Sequence, residues 1–217
     1  MLLEIIRILE SVISKWIIKK NLHITMQNNI LNQIYHHPEM KQEDLDLICK
    51  AHQRIEFQKG AFFLEKGKMA NEYFILESGL VRAFTHNYKG DEITTDFIGE
   101  NEIVIEVSSL FRRIPAQENL QALTDCVAWR IDFAIFQDLF HKSAAFSEWG
   151  RGWMSHQLFS LKQRHIDMIS VRASDRYLKL LGEKPHIIQQ ASLKHIASFL
   201  GVTDTSLSRI RKEVFDN

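Results

Sequence analysis

The chain is 217 residues long and carries 27 basic and 27 acidic side chains, so its formal net charge is zero. That length allows one large domain or two small ones with ample core for either, while a zero balance by itself argues against a nucleic-acid partner. Two cysteines, Cys49 and Cys126, are too few for a four-thiolate iron–sulfur cluster, and their wide separation in apolar settings favours buried thiols in a reducing cytoplasm over a disulfide.

The first 20 residues, MLLEIIRILESVISKWIIKK, set Ile5, Leu9, Val12, Ile13 and Trp16 at helical spacing but interrupt them with Glu4, Arg7, Glu10 and Lys15. That describes an amphipathic helix rather than a signal peptide, whose apolar stretch should lack charges. Residues 1–25 therefore read as an extension that touches a membrane surface, packs on the rest of the fold, or precedes a native start at Met26. The sequence leaves these three open. No apolar run reaches bilayer-spanning length, and stable membrane insertion is not expected.

From Met26 to Lys50 the pattern is helical and divided at Pro38, with Leu31, Ile34, Leu45, Leu47 and Ile48 as expected core positions. Near Ile55 the pattern changes. Between there and Asp132, short apolar segments (AFFLEKG, EYFILESG, LVRAFTHNYKG, ITTDFIGENE, IVIEV, NLQALT and CVAWRID) alternate with turns at Gly60, Gly67, Gly79, Gly90 and Gly99. Such spacing predicts a sandwich or barrel of short strands. After Asp132 the pattern is helical again: a short helix at Phe133–Phe140 and a long one from about Ala144 to Ser170. In the long helix, Met154, Leu158, Leu161, His165 and Met168 step by four, three, four and three, a heptad-like seam over two repeats. A seam of this kind is either intramolecular core or a contact between two copies. Arg172–Leu181 (RASDRYLKLL) predicts another helix, ended by Gly182 and Pro185.

The last third is the most informative. From Arg151 onward 11 basic residues stand against 6 acidic ones, although the whole chain is neutral; a basic segment suits phosphate contacts. Within it, LKHIASFLGVTDTSLSRIRK (Leu193–Lys212) reads as a helix-turn-helix. Leu193, Ile196 and Leu200 form the buried stripe of a first helix, and Ala197 is small where a second helix crosses. Gly201 stands at the turn, where a positive φ suits glycine. Thr203 can cap the next helix, from which Leu207 and Ile210 point back. Thr205, Ser206, Ser208, Arg209, Arg211 and Lys212 remain for an outer face. An ordinary helical hairpin shares the glycine turn but does not require the basic outer face. Because helix-turn-helix proteins usually bind two half-sites as dimers, this motif also favours a contact between copies at the Met154–Met168 seam.

A strand barrel, a long helix and a C-terminal helix-turn-helix together resemble the CRP/FNR family of transcription regulators over roughly Met26 to Val214. The segments that carry the likeness are KGAFFLEKG, EYFILESGLVRAF, RASDRYLKLL and IASFLGVTDTSLSRIRKEV. The resemblance implies an α+β chain: an N-terminal β-roll (a double-stranded, jelly-roll-like barrel), a long central helix and a C-terminal winged helix-turn-helix. Its divisions would be the extension at 1–25, a cyclic-nucleotide-binding-like sensor at 26–143, a dimerisation helix at 144–170 and a DNA-binding domain at 171–217. It further implies a cytoplasmic homodimer that regulates transcription, with double-stranded DNA and RNA polymerase as partners and no enzymatic activity. By position Arg209 matches the family's guanine-reading arginine, whose fork can pair with O6 and N7. Thr205 replaces the glutamate that usually reads cytosine, so a different half-site is implied. Asp204 is unusual this close to DNA, and can instead favour the positive end of its own helix.

The sensor departs further from the family. Its phosphate cassette reads IVIEVSSLFRRIPAQENLQAL, in which Glu106 can keep the ribose carboxylate and Ser108 and Ser109 offer hydroxyls. Ile105 stands for the glycine before that glutamate, and the family's Arg-Ser pair falls at Ala116 and Gln117. Arg112 and Arg113 lie on the other side of Pro115. The candidate effector residues are thus Glu106, Ser108, Ser109 and Gln117. Without the arginine a buried cyclic phosphate lacks its charge partner, so cyclic AMP is not expected to bind tightly. A metal-dependent jelly-roll enzyme is a poor alternative, since His86 is the only histidine between Ile55 and Asp132. A β-roll sensor or adaptor working through protein contacts is the other alternative.

Overall fold

A computed structural model of the protein describes residues 30–215; the amphipathic extension at 1–25 and Met26 lie outside them. Two four-stranded antiparallel sheets form the N-terminal half. The strands are β1 (Gln53–Phe57), β2 (Phe62–Leu64), β3 (Glu72–Ser78), β4 (Val81–His86), β5 (Glu92–Ile98), β6 (Ile103–Val104), β7 (Asn119–Ala122) and β8 (Cys126–Asp132). One sheet runs β1-β8-β3-β6 and the other β2-β7-β4-β5.

The inner strands β3, β4 and β8 are buried on both faces, which is why they read as near-continuous apolar runs. Side chains alternate along a strand. In β3 and β8, Phe74, Leu76, Cys126 and Ala128 turn into the sandwich beside Val81, Ala83 and Leu120. Their neighbours Tyr73, Ile75, Trp129 and Ile131 turn outward under a cover of helices. That cover consists of residues 30–34, helix Gln42–Ala51, helix Phe133–Lys142 and the start of a 27-residue central helix, Ala144–Ser170. The Trp149 indole N–H donates to the Ile34 carbonyl at 2.7 Å and pins the first of these segments to the last. Of the expected core positions there, Leu31 and Ile48 are buried and Ile34 and Leu45 partly so. Leu47 is 53% exposed, because it lies on the face of its helix opposite Leu45 and Ile48.

The helical cover encloses a polar chain. The Tyr73 hydroxyl lies 2.7 Å from that of Tyr35, which lies 3.0 Å from Nε2 of His52, whose Nδ1 is 2.8 Å from the Ile48 carbonyl. An Nδ1–H donating to that carbonyl leaves Nε2 free to accept from Tyr35, so the ring is neutral. Burial lowers its pKa from 6.5 to about 4. The unfolded chain then takes up a proton as pH falls through 6.5 while the folded chain does not. Stability is therefore lost between about pH 6.5 and 4, by about 3 kcal/mol at the lower limit. Urea unfolding of His52→Gln and the unaltered chain at both pH values checks this: the variant should lose about that much less. Equal losses would contradict it.

Past the central helix come the helices Ala173–Glu183, Pro185–Gln190, Leu193–Phe199 and Asp204–Phe215. No strand follows β8 among the described residues, so none of them forms a wing. Helix Pro185–Gln190 opens on its proline, a position whose missing N–H costs nothing.

A candidate nucleic-acid interface docked on the sensor sheet

The helix-turn-helix forms as its residue types require. Ser192 Oγ accepts from the His195 N–H at 3.2 Å and opens helix Leu193–Phe199. At its end the Gly201 N–H reaches the Ser198 carbonyl at 3.2 Å and the Val202 N–H reaches the Ala197 carbonyl at 3.0 Å. This paired bonding is the Schellman motif, with the left-handed residue at Gly201, φ +68°. A side chain there would also strike Met168 of the central helix. Thr203 Oγ1 then accepts from the Ser206 N–H at 3.2 Å and caps the second helix. Ala197 and Leu207 are fully buried where the two helices cross, with Ile210 and Val214 partly buried beside them.

Every predicted DNA-facing residue is exposed: Thr203, Thr205, Ser206, Ser208, Arg209, Arg211 and Lys212. At 100° per residue, Thr205, Arg209 and Lys212 lie opposite Leu207, Ser206 and Ser208 lie on the flanks, and Arg211 stands one turn on from Leu207 with its side chain still exposed. Two hydroxyls are already engaged: Ser206 Oγ lies 2.9 Å from Thr203 Oγ1, and Ser208 Oγ donates to the Asp204 carbonyl at 2.9 Å. Arg209, Arg211 and Lys212 hold no partner among the described residues. The result is a ridge of uncommitted cations and short polar side chains.

Sequence reasoning missed where this unit sits. Its first helix lies on the outer face of β4 and β5, and Leu80 and Phe97 of the sheet share one core with Tyr177, Leu180, Ile187, Ile196 and Leu200. A buried polar cluster joins the same surfaces. Arg82, 1% exposed, donates to Thr94 Oγ1 at 2.9 Å and to Glu92 at 2.6 Å. It also reaches His195 Nε2 at 3.1 Å. That nitrogen accepts from a cation, so the His195 ring is neutral; burial, and then Arg82, lower its pKa. Ser198 Oγ donates to Thr94 Oγ1 at 2.8 Å. The one signal available was Arg82 itself, a charge inside the apolar run LVRAF.

The central helix fastens the arrangement at a bulge. Ala83 pairs with Asp96 and Phe84 with Thr94, which leaves Thr95 unpaired. Its carbonyl accepts from Arg164, whose guanidinium lies 3.9 Å from the Phe199 ring centre. The Thr95 hydroxyl donates to Glu118. Burial raises the Glu118 carboxyl, helped by Glu106 and Asp96, and lowers the Arg164 guanidinium. Asp96 is hemmed in by protein, which raises its carboxyl, although it still borders open space along the central helix.

The cassette residues are spent on one another. Glu106 is buried and caps helix Val107–Arg112 by accepting from the Ser109 N–H at 2.5 Å. Ser109 is buried and accepts from the Ala70 N–H at 2.8 Å. Ser108 is half-buried beside them, and Gln117 is exposed. Arg113 turns away, donating to the Ala70 carbonyl and Asn71 at 2.7 Å each and lying over the Phe133 ring. The structure thus brings Glu106 and Ser109 together but does not bring Gln117 to them.

This arrangement has relatives among known folds. Residues 54–143 match the cyclic nucleotide-binding domain family. FixK2 from Bradyrhizobium japonicum superposes with a TM-score of 0.67 at 13% identity, over 76% of this chain and 85% of that one. A protein assigned to the CRP/FNR family from Eubacterium rectale gives 0.64 at 17% identity, over 81% and 85%. The c-di-GMP responsive regulator CLP of Xanthomonas campestris gives 0.63 at 17%, over 81% and 92%. The chain has the CRP/FNR fold, and within it residues 54–143 are similar to the cyclic nucleotide-binding domain family. No curated protein matches it in sequence. Within the CRP/FNR fold its cassette stands out for Ala116, 3% exposed. The Ala116 N–H donates to the Lys68 carbonyl at 2.8 Å, and its side chain is only a methyl group where the resemblance implies an arginine.

Proposed function

We propose that this protein is a homodimeric, sequence-specific DNA-binding transcription regulator whose nucleotide cassette is degenerate. The observation that carries the proposal is the capped helix Asp204–Phe215, with its apolar side locked under Leu207 and its cationic ridge wholly exposed. In this reading Arg209 reads a guanine, Lys212 contacts phosphate, and Thr203, Thr205, Ser206, Ser208 and Arg211 line the groove. The seam of Met154, Leu158, Leu161 and Met168, all exposed, joins two copies. Two ridges then enter successive major grooves about 34 Å apart on a pseudo-palindrome. RNA polymerase would be the protein partner at the promoter.

The docking on β4 and β5 supports a regulatory role. A helix-turn-helix held by Arg82, Thr94 and Phe97 takes its position from the sensor, so a change in the sensor changes the spacing of the ridges. Glu106, Ser108, Ser109 and Gln117 would be the remnants of the nucleotide site. Among the described residues no helix is long and apolar enough to cross a membrane. Selection of binding sites from random duplex DNA tests the proposal: an inverted repeat with half-sites one helical turn apart supports it, and no enrichment contradicts it.

A further inference from the structure

A cleft of about 740 Å³ opens between β5, the central helix and helix Ala173–Glu183, a size usual for small-molecule sites. Glu106, Ser108, Ser109 and Gln117 do not line it, so it is a different space from the nucleotide cassette. One side is lined by Phe97, Leu180, Ile187 and Phe199; the central helix lines the other, with Gln157, Ser160 and Arg164 beside the apolar Leu161 and Met168.

The charges around it are unequal in their commitments. Lys179 pairs with Asp167 at 2.7 Å and Lys184 with Glu102 at 2.6 Å. The two arginines are held by carbonyls alone. Arg164 donates to Thr95 and, at 3.4 Å, to Phe199. Arg176 donates to Val171 and, at 2.8 Å, to Leu200, and its buried Nε–H has no partner among the described residues. The nearest acids to Arg164 are otherwise engaged, Asp96 by the Phe97 N–H at 2.8 Å and Glu118 by Thr95. Two partly desolvated guanidiniums without a bonded carboxylate, beside an aromatic wall, are poorly compensated.

We infer that this cleft binds a small organic anion, a carboxylate or phosphate carried on an apolar body, its head drawn to Arg164 and Arg176 and its body lying on Phe97, Leu180 and Phe199. Such a ligand touches the sensor sheet, the central helix and the DNA-binding unit at once. It therefore favours whichever arrangement of the three fits it best, which is the requirement for a ligand to shift a conformational equilibrium.

The inference is independent of the DNA reading, because binding is measured on the protein alone. The probe is 8-anilinonaphthalene-1-sulfonate, an aromatic anion, titrated by fluorescence against the full chain. Saturable binding of one probe per chain is expected, with the uncharged N-phenyl-1-naphthylamine weaker by about tenfold or more. Ser160→Trp and Gln157→Trp, which fill the cleft from the central helix, should each lower affinity by about tenfold or more. Tyr88→Ser, in the exposed turn between β4 and β5, should not lower it. The inference is overturned by absence of saturable binding, by equal binding of the neutral analogue, or by undiminished binding in both filled variants when circular dichroism shows them folded.

Discussion

Arg209→Ala is expected to abolish preference for the selected DNA site while leaving weak, salt-sensitive binding to any duplex. An arginine fork on guanine contributes about 1–3 kcal/mol of discrimination, and a two-fold dimer makes the contact twice, so roughly 2–6 kcal/mol of specificity is at stake. The position is exposed in the middle of a helix, where alanine is the best helix former. The variant should therefore fold like the parent. Competition between selected and random duplexes measures the effect: the ratio of affinities should collapse towards one. Lys212→Ala should differ in kind, weakening both duplexes alike and making the salt slope shallower by about one for each phosphate left without its lysine. An Arg209→Ala protein with unchanged specificity would remove this side chain from the groove.

The second large effect is on assembly. Leu158 is 65% and Leu161 61% exposed, and Met154 and Met168 are exposed beside them on the central helix. Burying one leucine side chain contributes about 1.5–3 kcal/mol, and each copy presents both. The double variant Leu158→Glu, Leu161→Glu replaces that burial with carboxylates facing their symmetry mates. Its proposed dimer should weaken by several orders of magnitude and sediment as a monomer at micromolar concentrations. DNA affinity should fall with it, because one ridge then acts without the other. A variant that stays dimeric would relocate the interface. A monomer that binds the palindrome as tightly as the parent would separate assembly from DNA reading.

Much of the architecture was legible because it rests on local rules. The seven apolar segments between Ala61 and Asp132 match β2 to β8 one for one, with β5 starting a residue early at Glu92, since period-two patterning and glycine turns need no distant partner to be read. The helix-turn-helix was legible to the residue: Ala197 at the crossing, Gly201 at positive φ and Thr203 as cap are each the least costly choice at a defined geometric position. What stayed hidden depends on long-range packing. Leu80 and Phe97 looked like ordinary sandwich residues, yet they form the floor on which the helix-turn-helix sits. Arg82 and His195, 113 positions apart, carry no local pattern that predicts their meeting. The same holds for the cassette. The absence of an arginine at Ala116 was visible, but not that Glu106 and Ser109 would turn to each other. The wing was carried by the family likeness rather than by any strand pattern in residues 185–215, which are helical apart from the short connections between helices.

Gene control by this chain requires a cationic ridge that meets DNA at two grooves. The decisive measurement is equilibrium binding of the unaltered chain to a selected palindrome and to random duplex, between about 50 and 200 mM salt. Affinity should fall steeply, by about a thousandfold or more over that range for a dimer making six or more phosphate contacts. The palindrome should be favoured by about a thousandfold or more at physiological salt. Binding that ignores salt, or shows no preference between the two duplexes, would contradict the DNA-reading role.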